Sequence, residues 1–247
     1  MKTFLKLLAG TFALIASSLA FAEGGVVSSL EGTATVQSGT GAPRPLRLGD
    51  AVVEGDTLVT GPSTTLIVRF DDDQVVALSS RSRLTVSTYK YNAPAKSGNI
   101  LLSLVDGGMR ALTGLIGKAS PDAVTYKART ATIGIRGTDT IGEIDGNRFT
   151  FGVLDGAGEI RQGSQVVSLS RLFGVSFVFD NPIPPPILFS QLNFSASVIS
   201  LSRLPLLQFQ QQPRGPQPPA DTSTTTTNTP NASGPTGAGG GGSASVR

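Results

Sequence analysis

The stretch "TTLIVRFDDDQVVAL", Thr64 to Leu78, decides the fold class. Leu66, Val68 and Phe70 alternate with Ile67 and Arg69, three aspartates follow, and a second β-branched run begins at Gln74. Alternation with a period of two is the mark of a strand, and an Asp-rich break between two such runs is the mark of a hairpin. Working outward, "RLTVSTYKY" from Arg83 alternates again, with Leu84 and Val86 on one face. "NILLSLVDGGMRALTGLIGK", Asn99 to Lys118, starts as a strand, turns at Gly107-Gly108 and continues as a strand or one short helix. Helical periodicity is scarce, so the reading is all-β: a compact, short-stranded sandwich or a solenoid-like β domain.

Two segments echo each other. "LEGTATVQSG" from Leu30 and "LDGAGEIRQG" from Leu154 share a leucine, an acid, a glycine, a β-branched residue six positions on and a glycine nine positions on. Two copies are too few to infer a repeat array, which needs about three units to bury a continuous core. The simpler expectation is a recurrent turn in which acid and glycine close a hairpin and the second glycine ends the returning strand. Helical character is expected only near residues 187–202, after the brake "NPIPPP", with Leu188, Leu192 and Ile199 near one face as a packing helix.

The ends are different material. Lys2 and Lys6, the apolar run "LLAGTFALIASSLAF" and the close Ala20-Phe21-Ala22 have the layout of a cleavable export signal, with cleavage expected after Ala22 and a periplasmic or secreted mature chain. Later segments offer no uninterrupted apolar span; "ILFSQLNFSASVISLSRLPLL" is broken by serines, Asn193 and Arg203. From about Gln208 onward Pro, Gln, Thr, Gly and Ser dominate, a composition too poor in apolar side chains to repay its own ordering, so a disordered tail is expected. The expected organisation is thus a signal peptide over 1–22, a β domain over 23–180, a Pro-rich connection with a packing helix over 181–207, and a tail over 208–247.

Composition narrows the function classes. The chain has neither cysteine nor histidine, so no disulfide framework, lipid-bearing cysteine, thiol nucleophile or imidazole base exists. Without Lys2 and Lys6, 18 basic residues face 17 acidic ones, a net of +1, with no dense Lys/Arg face for nucleic acid. Asp50, Asp56 and Asp71 to Asp73 are carboxylate concentrations, but they lack the spacing of a calcium loop and read as turn acids. No catalytic, cofactor-binding or metal-binding residue is assigned, and the expectation is a non-enzymatic protein.

"RTATIGIRGTDT", Arg129 to Thr140, has the glycines of a phosphate loop without its Gly-Lys-Ser/Thr ending, and lacks the third glycine of a dinucleotide fingerprint. In a strand starting at Ala131, Ile133 and Ile135 point to one side and Thr132, Gly134 and Arg136 to the other, with Gly137 permitting a bend. Arg136 either ties a neighbouring turn carboxylate, Asp139 or Asp145, or faces a ligand or partner.

"GDAVVEGDTLVTG", "LIVRFDDDQVVAL", "LLSLVDGGMRALTGLIGK" and "ARTATIGIRGTDT", in this order, resemble the FecR domain, named for the periplasmic sensor of iron-citrate uptake. The resemblance runs from about Gly24 to Gly163, and "FDDDQ" departs from the Asp-Gly usual at that turn. It implies a periplasmic β module of signal transduction whose motif residues Thr132, Ile133, Gly134, Ile135, Arg136, Gly137 and Thr138 are structural or touch a partner. In the founding type the module meets the signalling domain of an outer-membrane receptor, and a cytoplasmic segment with a membrane helix relays to a sigma factor. Neither segment is recognisable here, so direct sigma-factor control is not expected. The expected partner is an envelope protein or receptor, with no nucleic acid and no transmembrane helix in the mature chain. The alternative is a surface or matrix-associated structural protein that holds polysaccharide. The general resource of such a domain is an unpaired strand edge that accepts an extended segment.

Overall fold

The Thr64–Leu78 stretch is a hairpin, Leu66 opposite Leu78 and Arg69 opposite Val75. The computed structural model describes residues 24–213, so the export signal and the tail beyond Pro213 lie outside the described residues. In chain order the strands are β1 Gly24–Glu31, β2 Ala34–Ser38, β3 Arg44–Pro45, β4 Ala51–Val53, β5 Asp56–Thr60, β6 Thr65–Phe70, β7 Val75–Leu78 and β8 Arg83–Asn92. They continue with β9 Ser97–Leu112, β10 Val124–Ala128, β11 Ala131–Asp145, β12 Arg148–Gln162, β13 Gln165–Ser170, β14 Phe173–Val178 and β15 Ile187–Leu188. Helices are short: α1 Leu115–Ala119, α2 Ala196–Ser202 and α3 Leu206–Gln211, with single 3-10 turns at Pro121–Ala123 and Phe189–Gln191.

All fifteen described strands belong to one continuous hydrogen-bonded network, which long bent strands fold into two sheets packed face to face. One runs β3-β2-β5-β8-β9-β10-β11-β12-β13 and the other β4-β1-β6-β7-β9-β11-β12-β14-β15. The first halves of β9 and β11 and the second half of β12 belong to the first sheet, and their other halves belong to the second. Inner residues of both sheets, among them Leu58, Val86, Ile100 and Ile133 from the first and Leu66, Val76, Phe149 and Phe177 from the second, form one buried cluster. This is a sandwich with continuous corners.

The corners explain the internal echo and correct its expected reading. Gly32 and Gly156, the first glycines of the two echoing segments, have φ of 88° and 83°. Gly32 closes no hairpin: β1 and β2 are not paired, and the chain passes there from the second sheet to the first. Gly156 sits inside β12 at its own crossing. Gly107 in β9 (φ 73°) and Gly137 in β11 (φ 58°) mark the other two crossings. Left-handed backbone is reached at little cost only by glycine, so each crossing carries one.

Among the described residues, only the second sheet is covered on its outer side. Ile67, Val75, Ala77 and Ile141 pack there against Val198 and Leu201 of α2 and Leu206 of α3. Gly108 makes the seat for α2, since a Cβ at that position would lie 2.1 Å from a Val198 methyl. The helix expected over 187–202 is therefore shorter and later. Pro184 to Pro186 hold the chain extended into β15, and the Ser195 side chain, accepting from the Val198 amide, starts α2.

Candidate functional site

The outward side of the first sheet carries no covering element among the described residues, and the signature strand β11 crosses it. Ala131, Ile133 and Ile135 are buried, while Thr132 and Gly134 are half-buried and Arg136 is exposed, as the strand parity requires. Thr125 lies opposite Gly134 on β10; Glu159 and Arg161 of β12 lie opposite Gly134 and Thr132. With Asp122 these side chains line an open groove of about 450 Å³. Its wall is polar and mixed in charge, and Arg161 bridges Glu159 at 2.5 Å.

Gly134 is the floor. A Cβ there would meet nothing within 4 Å, so internal packing does not require glycine at this position. Glycine inside a strand costs stability and often marks a place where another backbone or a ligand approaches closely. Gly137 is different in kind: its φ of 58° turns β11 at the corner, and the register with β12 shifts between Arg136 and Asp139. Thr138 continues the strand through this corner.

The tie open to Arg136 is made by another residue. Arg110 on β9 grips Asp139 with both forks, Nε to Oδ1 at 2.8 Å and Nη2 to Oδ2 at 2.6 Å. Its remaining nitrogen donates to the carbonyls of Leu201 and Leu204, 2.7 Å each, fastening α2 to the sheet. Among the described residues Arg136 forms no ion pair with Asp139 or Asp145. Sequence reasoning passed over Arg110; the signal was a charge in the apolar run "GMRAL".

The turn acids hold backbone. Asp50 accepts from the Arg47 amide, Asp56 from Val53 and Asp71 from Gly24. Asp72 is fully buried, accepts from the Gln74 and Ile116 amides and from the Tyr89 hydroxyl, and burial pushes its carboxyl above the usual range. A carboxyl so enclosed fixes the β6–β7 turn under α1.

The scaffold and surface roles within the motif are separable. Gly137→Val forces a β-branched side chain into positive φ and is expected to cost about 1–3 kcal/mol. Arg136→Ala removes an exposed side chain and is expected to stay within about 0.5 kcal/mol of the parent. Chemical denaturation of the two variants checks the order; a larger loss for Arg136→Ala would make that residue a structural tie.

Residues 56–157 match the family model described as FecR protein. Two crystal structures of anti-sigma factor candidates from Parabacteroides distasonis align at 13% and 12% identity, each with a TM-score of 0.42 and covering 53% of this chain and 59% of its own. This chain therefore spans about three fifths of their length. A structure named as a cell surface anchoring domain aligns at 36% identity and a TM-score of 0.24, over 25% of this chain and 80% of that one. No curated protein matches.

Proposed function

We propose that this chain, which matches the FecR family model over residues 56–157, is a non-enzymatic interaction module of the bacterial envelope that holds another envelope protein against its signature face. The observation that carries the reading is an asymmetry of cover. Among the described residues, the outer face of the second sheet is sealed by α2 and α3, while the face crossed by Thr132, Gly134 and Arg136 is left bare. An exposed guanidinium beside an open, glycine-floored groove is a contact waiting for an acceptor on a partner. The family's regulatory character supports a role in envelope signalling, and the N-terminal sequence supports export to the periplasm or beyond. Among the described residues no helix is long and apolar enough to cross a membrane.

Capture from envelope extracts with the immobilised chain tests this. One discrete protein is expected on the wild type and absent from Arg136→Glu, whose melting temperature stays unchanged. Retention by glycan in place of a protein, or equal capture by both forms, would overturn the reading.

A further inference from the structure

We propose that β13 is a self-pairing edge through which two copies of this chain join their first sheets into one. Among the described residues four strands end the sheets, and three are blunted in familiar ways. β3 is two residues long and contains Pro45, β4 has three residues, and β15 has two residues behind Pro184 to Pro186. β13 is six residues, "QVVSLS", without proline or charge; among the described residues its backbone pairs on one side only, with β12, and the Gln165 side chain at its start accepts from the Ile183 amide. A full-length strand with a bare edge and no device against pairing is a template for another strand.

The occupant that fits is the same strand from a second copy. Gln165 to Ser170 carry no charge, so an antiparallel self-pair meets no like-charge repulsion. Inward and outward side chains must match across the pair, because a slip of one residue would flip every side chain. That parity requires the two-fold axis to fall on a residue. Centred on Ser168, the pair sets Val167 against Leu169 on the core side and Val166 against Ser170 outside. Centred on Val167, it would leave buried Leu169 facing Gln165, so the Ser168 register is the better one. Val166, 54% exposed, then gains cover.

The consequence is geometric. An axis through Ser168 stands normal to the sheet, so both signature faces look the same way. Five inter-strand spacings separate the two Gly134 positions, about 24 Å. If the signature face holds the partner as proposed above, the dimer presents it twice, with the gain that multivalency brings. The dimer itself does not rest on that reading and is tested without any partner.

Sedimentation of the purified chain from Glu23 onward across a dilution series is expected to show a monomer–dimer equilibrium. Ser168 is exposed, so charges are tolerated there in the monomer. Ser168→Lys and Ser168→Asp, each facing its own copy, are expected to weaken the dimer at least about tenfold. An equimolar mixture of the two is expected to recover it as a heterodimer. A chain that is monomeric throughout, a dimer untouched by either variant, or no recovery on mixing would each overturn the proposal.

Discussion

Arg110→Ala is expected to destabilise the domain by about 3–5 kcal/mol, the range for breaking a buried ion pair by removing one partner. The Arg110 and Asp139 side chains are 9% and 14% exposed, so water does little to screen what remains. The loss has two parts. Asp139 is left at the β11 corner without its fork of donors, and the Leu201 and Leu204 carbonyls at the end of α2 lose the groups that satisfy them. Arg110→Lys should recover only a fraction, because one ammonium cannot reach a carboxylate and two carbonyls with fork geometry. Urea denaturation checks both variants; a cost near 1 kcal/mol for Arg110→Ala would show that the pair is worth no more than a surface bridge.

Where the chain is cut should matter sharply. Ending it after Pro213 is expected to leave the melting temperature unchanged, since the contacts of α3 with the other described residues are kept. Ending it after Pro205 removes Leu206, only 1% exposed, and the two bonds that the Gln210 side-chain amide donates to the carbonyls of Asp73 and Thr113. It also removes the Gln212 carbonyl that Arg69 reaches from β6. Loss of a buried leucine alone is expected to cost about 2–5 kcal/mol. Thermal melts of the two truncations check this, and equal midpoints would show that α3 adds nothing to the fold. The helix runs across Gln208, so the composition shift at that residue and the end of packed chain are separate events.

What the sequence showed follows from which interactions are local. The β6–β7 hairpin was legible because alternation and an Asp-rich turn lie within fifteen residues of each other, and the parity of β11 was legible from Ile133 and Ile135 alone. The corners were not. A hairpin turn and a sheet-to-sheet corner both use an acid followed by a glycine in positive φ, as at Asp145-Gly146 for the hairpin and at Glu31-Gly32 and Asp155-Gly156 for the corners. Only the distant pairing partner decides between them, and no local pattern carries that. Arg110 was hidden for a related reason. Strand parity sends it outward, where an arginine looks solvated; it is buried by helices that start nearly ninety residues later in the chain. The bare floor at Gly134 was equally silent, because a glycine demanded by packing and one that leaves room look alike until a Cβ is placed on the backbone.

The central claim is that the signature face is the partner face, and the absence of native cysteine allows a direct measurement. Single cysteines placed at Thr125 and Glu159, which line the groove, and at Ser200, exposed on α2, are labelled with a maleimide before and after the captured partner is added. The account predicts that the partner slows labelling at the first two positions and leaves Ser200→Cys unchanged. Protection at Ser200→Cys with free labelling at Thr125→Cys and Glu159→Cys would contradict it.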